Sequence, residues 1–340
     1  MGGMKRKRRG LPFPWANVLV LGLLVSLTVT GYFGFTNGRF LQRWLLWLHG
    51  ISAYALFITL FWKASIVFDA WRRKKKWTAT RRGFVVLLAL LFLTLLLGLL
   101  WTFNGPIYVA GFSLVSLHIY VAIPLMGLMA WHSWKMRFVW KLPETVGRRL
   151  WLGTAVSSLL GLLFWQSSNW LKSAYALSGA KRRFTGSYEV GSLTGMFPTV
   201  SWIFDRPKAV EVGGWGLEVG GVVERPLSLN YEAILGMEQG VETAVIDCTG
   251  GWYSEQEWRG VWMSDLLARA GLQDEAASLT VQSVTGYKRR FSMAQAQQFL
   301  LATHVAGKPL SHGHGFPLRL VAINERGVEW VKWVTRLEVN

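Results

Sequence analysis

Five long apolar stretches in the first half of the chain constrain its fold more than any other feature of the sequence. They cover roughly residues 16–35, 44–70, 84–103, 107–131 and 150–168. A helix needs about 20 mostly apolar residues to cross a bilayer, and lipid offers an exposed backbone no hydrogen-bond partner. The sequence therefore predicts an all-α transmembrane helical bundle of five spans at residues 16–170, preceded by a basic cytoplasmic N-terminus at residues 1–15.

The positive charge of the chain lies in short blocks between these stretches. The net charge is +18, and only Asp69 and Glu144 are acidic before the end of the fifth stretch. The basic blocks lie at residues 5–9, 72–82 and 135–149. Such blocks mark the cytoplasmic ends of membrane spans, and they lack the interleaved side chains of a nucleic-acid interface. We expect a multi-pass protein of the plasma (inner) membrane with a cytoplasmic N-terminus, an extracytoplasmic C-terminal domain and no nucleic-acid partner.

Three of the six histidines lie in the predicted spans, where ionisable side chains are rare and commonly functional. His49 belongs to the second span, and His118 and His132 belong to the fourth. Because these two spans run in the same direction, imidazoles from both can hold a haem iron from its two faces. We predict that His49 and His118 bind haem, and a hydrogen bond between the helices is the alternative.

His132 lies 14 residues beyond His118, about 21 Å deeper along a helix. This spacing resembles that of b-type membrane cytochromes with two stacked haems, so that one haem b or two is expected, with His132 as the ligand of the second. The residue at the matching position beyond His49 is Lys63, which leaves an inner haem without a second histidine. An interfacial position beside Trp131 is the alternative for His132.

The only cysteine of the chain, Cys248, follows the apolar stretch 243–247 and precedes a Gly-Gly turn. A thiolate held at the end of a buried strand is a suitable ligand for a soft or intermediate metal. A buried cysteine that serves only in packing is the alternative. With a single cysteine the chain has no internal disulfide, so the second half has to be stabilised by its core and a cofactor.

Two further motifs lie downstream of this cysteine. Residues 308–320 read KPLSHGHGFPLRL, and residues 329–336 read EWVKWVTR. Together with the C-x-x-x-W pattern of Cys248 and Trp252, they resemble the sulfite oxidase family over roughly residues 185–340. The resemblance implies an α+β, sulfite oxidase-like domain that binds molybdopterin.

The resemblance also implies roles for individual residues. Cys248 would be the molybdenum ligand and the catalytic residue, and Trp252 would help to bind the cofactor. The remaining cofactor contacts would be His312, His314, Arg319 and Lys332. Arginine, lysine and histidine make the charge-assisted hydrogen bonds that a phosphate requires. A polar surface turn or a first-row metal site is the alternative for the two histidines.

The boundaries expected for the second half are a linker at residues 171–198 and a molybdopterin-binding oxidoreductase domain at residues 199–340. Within this domain the sequence predicts a short helix at 264–270, a strand at 279–284 and a helix at 293–303. Arg148 and Arg149, just before the fifth span, resemble a twin-arginine export signal, although ordinary positive-inside residues explain them equally well. Mixed strands and helices agree with an α+β fold.

Departures from the family bear on the substrate. Tyr253 stands where animal sulfite oxidases carry an arginine, and the pattern is closer to compact bacterial members that reduce oxidised methionine. The combined expectation is a membrane-anchored molybdenum oxidoreductase that acts on a sulfoxide, an N-oxide or sulfite and exchanges electrons with quinone through haem b. Its expected partners are the lipid bilayer, quinone or quinol, and a small-molecule substrate. The alternatives are a haem-binding electron-transfer protein with a non-catalytic soluble domain, and a haem-free membrane anchor.

Overall fold

The computed structural model describes residues 14–72, 78–136, 146–200 and 207–340. Nearly all of the predicted basic N-terminus and the centres of the other two basic blocks lie outside these residues. Within the described residues the chain divides into two compact units. One contains residues up to 35 together with 41–182, and the other contains 36–40 together with 183–340.

Five long helices form the first unit. They are α1 (Pro14–Thr36), α2 (Trp44–Arg72), α3 (Ala79–Asn104), α4 (Leu114–Met136) and α5 (Val146–Ala174). All five are long and apolar enough to cross a membrane by length and composition. The five predicted helices are thus confirmed as helices, and their insertion in a bilayer stays a prediction.

The fourth helix begins later than predicted. Residues assigned to its first turns form a small hairpin, β1 (Tyr108–Val109) and β2 (Phe112–Ser113). Ala110 and Gly111 between the strands both have positive φ, a conformation that a helix does not contain. Hydropathy alone cannot detect such a turn when the flanking residues are as apolar as the helix that follows.

The helices pack closely along two pairs, α3 with α4 and α2 with α5. A Cβ placed on Gly161 of α5 would lie 2.7 Å from the carbonyl oxygen of Ile51 in α2. Small residues permit this kind of close helix contact in membranes. Leu24, Leu56, Leu91 and Leu125, one from each of the first four helices, belong to one buried apolar cluster.

The second unit is an α+β domain with two sheets. The larger sheet consists of β3 (Tyr188–Glu189), β6 (Gly240–Asp247), β7 (Trp252–Trp262), β10 (Leu300–Val305), β11 (Lys308–Pro309) and β12 (Arg319–Val321). β7 pairs with β3, β6 and β10, and β10 pairs also with β11 and β12. All of these pairs are antiparallel except the short one between β3 and β7.

The smaller sheet has the order β5-β4-β13-β8-β9. Its strands are β4 (Leu217–Gly221), β5 (Leu227–Leu229), β8 (Ser278–Ser283), β9 (Lys288–Ser292) and β13 (Val334–Val339). The central strand β13 runs parallel to β4 and antiparallel to β8. The short helices α6 (Tyr231–Leu235), α7 (Met263–Ala270) and α8 (Met293–Ala296) connect the strands.

The predictions for this domain succeed in part. The helix at 264–270 and the strand at 279–284 agree with α7 and β8 to within one residue. The predicted helix at 293–303 is wrong, because α8 ends at Ala296 and β10 follows. Five of the six residues of β10 are buried, and a strand buried on both faces has a continuous apolar sequence that cannot be distinguished from a short helix.

The stretch interpreted as a linker contains regular structure. It includes the end of α5, a 3-10 turn at Ser178–Lys181 and the strand β3. Tyr188 of β3 is buried and pairs with Trp252 of β7. Apart from residues 36–40, the second compact unit therefore begins at Arg183, ahead of the expected residue 199.

Candidate molybdopterin site

Cys248 lies in the tight connection between β6 and β7. Its backbone N–H donates to the Trp252 carbonyl at 2.8 Å, and the Gly251 N–H donates to the Cys248 carbonyl at 3.1 Å. The Gly250 N–H faces the Sγ atom at 3.3 Å. Gly251 has a φ of +89°, which favours glycine at this turn. The hairpin therefore fixes the thiol at the end of β6, where the sequence predicted it.

The charge state of this thiol depends on its surroundings. Burial raises the pKa of the Cys248 thiol, and the Gly250 N–H, Arg326 and Lys332 act in the opposite direction. A buried thiol without a cation stays protonated near neutral pH, whereas a coordinated thiol is deprotonated. The free thiol of Cys248 is therefore protonated near neutral pH, and a thiolate at this position requires a bound metal.

A buried network supports the residue next to Cys248. The Asp247 carboxylate accepts hydrogen bonds from the Thr185 hydroxyl at 2.6 Å and the Ser187 hydroxyl at 2.7 Å. The guanidinium of Arg326 forms a buried ion pair with the same carboxylate and donates to the Cys248 carbonyl at 3.3 Å. These bonds satisfy a buried carboxylate and tie the cysteine loop to two distant segments of the chain. The local sequence did not predict these contacts.

Gly327, the residue after Arg326, also packs against the cysteine loop. A Cβ at Gly327 would lie 3.2 Å from both the Cys248 Cα and the Asp247 carbonyl oxygen. The backbone at Gly327 therefore packs directly on the cysteine loop, and a larger residue would push that loop out of place.

Asp247→Asn is expected to destabilise the C-terminal unit by about 3 kcal/mol, because removing one charge of a buried pair leaves the other without compensation. The measurement is chemical unfolding of the purified protein followed by near-ultraviolet circular dichroism. Glu218→Gln is the matched control. Its partner Arg336 lies 3.3 Å away and both side chains are largely exposed, at 65% and 47%, so the change should be below about 1 kcal/mol. Equal effects of the two substitutions would contradict the assigned role of Asp247.

The predicted phosphate contacts gather around a 3-10 turn at His312–His314. Arg319 donates to the His314 carbonyl at 2.9 Å, and Lys332 donates to the Gly313 carbonyl at 2.7 Å. Gly315, with a φ of +107°, lies between the two cations, and a Cβ there would be 3.1 Å from the Lys332 Cβ and 3.2 Å from the Arg319 Cβ. This glycine allows the turn to approach both basic residues.

Arg319 is a buried cation. Its guanidinium lies over the rings of Trp258 and Trp330, at 5.4 and 5.6 Å from their centroids. The whole residue is only 2% exposed. Burial lowers the pKa of Arg319 to about 10, and the nearby Cys248 acts in the opposite direction. The guanidinium therefore stays charged at neutral pH and lies within electrostatic reach of the thiol.

The two histidines of the turn face backbone carbonyls. His314 stacks on Phe197, with ring centroids 4.1 Å apart, and its Nε2 lies 3.1 Å from the Phe197 carbonyl oxygen. His312 Nε2 lies 3.1 Å from the Pro207 carbonyl oxygen. Burial lowers the pKa of His314, and the cations Arg319 and Lys332 lower it further. Within the described part of the chain no group of three or more metal-ligating side chains occurs, so nothing there supports a first-row metal at these histidines.

The site fits an anionic cofactor that is anchored by a thiolate. Three buried nitrogen atoms of the predicted site residues have no hydrogen-bond partner among the described residues: Arg319 Nε, His312 Nδ1 and Trp252 Nε1. Unpaired buried polar groups are costly and need a ligand or water. The Trp252 ring lies 6.1 Å from that of Phe197, and Phe197 stacks on His314, so the predicted metal ligand and the predicted phosphate contacts lie in one neighbourhood.

The five-helix unit holds a second candidate site. The imidazoles of His49 and His118 have ring centroids 6.2 Å apart at an angle of 75°. His49 Nδ1 lies 3.1 Å from the Leu27 carbonyl oxygen, and His118 Nδ1 lies 2.8 Å from the Thr94 carbonyl oxygen. A ring that donates Nδ1–H to a carbonyl presents an unprotonated Nε2, which is the usual state of a metal-binding histidine.

Glycines on the neighbouring helices make room for both rings. A Cβ on Gly31 of α1 would lie 3.1 Å from His49 Cε1, and one on Gly98 of α3 would lie 3.3 Å from His118 Cε1. Metal–nitrogen bonds of about 2 Å, the length found for protein-bound zinc, place two opposed imidazole centroids about 6 Å apart. The observed separation fits one metal centre between the rings.

His132 lies apart from this pair. Its ring is 5.4 Å from that of Phe84, and its Nδ1 is buried without a hydrogen-bond partner among the described residues. Lys63 lies within electrostatic reach of it and hydrogen-bonds to the Asn17 side chain. No second histidine ring contacts His132 in the described part of the chain, so the inner haem stays a prediction without a matching imidazole.

The C-terminal part of the chain is a molybdopterin-binding oxidoreductase domain. Residues 204–340 match the family model for the oxidoreductase molybdopterin binding domain. The match lies entirely outside the five-helix unit.

Three known proteins are similar to this part. The uncharacterized oxidoreductase YuiH of Bacillus subtilis (strain 168) is 28% identical over 137 residues, which cover 39% of this chain and 69% of YuiH. Nitrate reductase [NAD(P)H] of Hordeum vulgare is 29% identical over 167 residues, which cover 39% of this chain and only 19% of the reductase. The crystal structure of the sulfane dehydrogenase SoxCD from Paracoccus pantotrophus is 30% identical over 38% of this chain and 40% of that chain, with a TM-score of 0.37.

Proposed function

We propose that the chain is a membrane-anchored molybdenum-cofactor oxidoreductase that exchanges electrons with quinone through haem b. The observation that carries the proposal is the location of Cys248, fixed in a hairpin turn. Through the rings of Trp252 and Phe197 this hairpin packs against the His312–His314 turn, which Arg319 and Lys332 contact. A metal-binding thiolate beside two cations is what an anionic molybdenum cofactor requires.

Each residue of the site would have a distinct part in binding. Cys248 would hold the metal, and Arg319 and Lys332 would bind the phosphate end. The unpaired Nε1–H of Trp252 would donate a hydrogen bond to the pterin. His312 donates through Nε2 to the Pro207 carbonyl, so its unpaired Nδ1 would accept one. The Asp247–Arg326 pair keeps the cysteine loop in place. When bound, the cofactor supplies two-electron oxygen-atom transfer.

The proposed substrate class is a sulfoxide, an N-oxide or sulfite on the extracytoplasmic side. A cation near the cysteine would attract the partly negative oxygen of such a molecule. Arg183 provides one, since its guanidinium lies over the Tyr253 ring at 5.2 Å and 3.6 Å from Asp247. This arginine comes from a distant part of the sequence and occupies the neighbourhood of Tyr253.

The haem proposal rests on His49 and His118. Their ring separation, the carbonyl at each Nδ1 and the glycine beside each ring all suit coordination of one iron from two sides. Both residues lie near the beginning of their helices, α2 and α4, so they are at the same end of the bundle. Haem would supply single-electron transfer.

We expect the purified protein, expressed in a host that makes the cofactor, to contain about one molybdenum and about one iron atom per chain, as each metal needs one ligand set. The measurement is elemental analysis of the detergent-solubilised protein. Molybdenum without iron would favour the haem-free anchor. Iron without molybdenum would refute the role of Cys248 and favour the electron-transfer alternative.

A further inference from the structure

Polar side chains from three helices meet at the end of the bundle that lies opposite His49 and His118. Asn17 lies near the start of α1, Lys63 in the last third of α2, and His132 near the end of α4. The Lys63 ammonium donates to the Asn17 amide oxygen. The helices that carry Lys63 and His132 are in register, since the rings of His49 and His118 on them have centroids 6.2 Å apart. Lys63 is 14 residues from His49, and so is His132 from His118, which places this group about 21 Å from the histidine pair along the helices.

The group is unusual because it lies among apolar residues. Lys63 is about 8 Å inside the end of its apolar span, which runs from Phe40 to Phe68. A polar group at this depth needs partners, since lipid supplies none. Lys63 has three N–H donors, of which Asn17 accepts one. His132 Nδ1 is buried and has no hydrogen-bond partner among the described residues.

An aromatic ring lies against one of these donors. The ring of Phe84 lies 5.4 Å from His132 at a shallow angle of 32°. The rings of Trp15 and Trp62, on the same two helices as Asn17 and Lys63, have centroids 5.6 Å apart. A flat, apolar ring with two hydrogen-bond acceptors would match both the Phe84 ring and the donors.

We propose that Asn17, Lys63 and His132 form a binding site for the headgroup of a membrane quinone, with one carbonyl oxygen accepting from Lys63 and another from His132. The inference rests on the proposed function, which requires a quinone partner but does not say where the quinone binds. It also gives His132 and Lys63 a role that needs no second haem.

The test is isothermal titration of the full-length protein in detergent with a short-chain benzoquinone or naphthoquinone analogue. Lys63→Met and His132→Leu are each expected to weaken binding about tenfold, the effect of losing one charge-assisted or buried hydrogen bond. Lys63→Arg, which keeps a cationic donor, should bind within about threefold of the wild type. Lys135→Met is the matched control, since this lysine belongs to the last turn of α4 and is exposed.

The far-ultraviolet circular dichroism of every variant verifies that the bundle has folded, and its reduced haem spectrum is recorded separately. Equal quinone affinity in Lys63→Met, His132→Leu and Lys135→Met would overturn the proposed site. The site would also be overturned if the wild-type chain contained two iron atoms and Lys63→Met or His132→Leu lost one of them. These residues would then be haem ligands. If the protein contains haem and molybdenum but does not bind the quinone analogue, the proposed quinone site is refuted and the proposed metal centres are unaffected. The expected quinone pattern in a protein without haem would support the site and refute the haem proposal.

Discussion

Cys248→Ser is expected to lower substrate turnover by about a thousandfold or more, because the ligand that holds the metal is lost while a serine hydroxyl stays protonated. The cysteine is buried and fixed by the hairpin between β6 and β7. Because it is the only cysteine of the chain, no other thiol can replace it. The measurement is reduction of a sulfoxide or an N-oxide by dithionite-reduced dye with the purified protein, accompanied by molybdenum analysis.

Two controls separate loss of the metal from loss of the fold. Thr249→Ser changes the adjacent residue in the same turn and should leave turnover and molybdenum unchanged. Cys248→Ser should retain pterin, because Arg319 and Lys332 stay in place around the His312–His314 turn. The double variant Arg319→Met, Lys332→Met should lose pterin although it keeps the cysteine. Turnover by Cys248→Ser at the wild-type rate would refute the catalytic assignment.

His49→Ala and His118→Ala are each expected to lower haem per chain about tenfold or more, since even the removal of an outer-shell partner of a ligand costs tenfold to a hundredfold in metal affinity. The two rings are 6.2 Å apart, so one iron depends on both. The measurement is the reduced-minus-oxidised absorbance of the purified variants, normalised to protein.

The controls for this prediction use the other histidines. His132→Ala should keep the haem, because its ring lies against Phe84 and not against the pair. His304→Ala changes a residue of β10 in the C-terminal unit and should affect neither haem nor the helices. An unchanged spectrum in both His49→Ala and His118→Ala would exclude this pair as ligands, and a hydrogen bond between helices would then be the better explanation.

The sequence predicted the helices and the cysteine turn because their signals are local. A run of apolar residues identifies a long helix wherever it packs, and Cys248 stands between an apolar strand and two glycines. The motif at residues 308–320 likewise contains His314 and Arg319, and the structure brings both close to Lys332.

The parts that the sequence did not predict depend on distant contacts. Asp247 is stabilised by Thr185, Ser187 and Arg326, which are about 60 to 80 residues away in sequence. The acidic residue directly before the cysteine was the available signal, since a carboxylate in an apolar strand needs a partner. For β10 the local signal is ambiguous, because five of its six residues are buried and a short apolar run fits a strand and a helix equally well.

The position of β13 has a consequence for the order in which the C-terminal unit folds. This strand lies at the centre of the smaller sheet, between β4 and β8, yet its residues Val334–Val339 are synthesised after all the other strands. Pairing between segments so far apart in sequence slows folding, since a long loop has to close before the contact is gained. Until β13 emerges from the ribosome, β4 and β8 both lack their shared neighbour, and Lys332 and Trp333 are absent from the turn that they contact. Loading of the cofactor is therefore a step that follows translation of the whole domain.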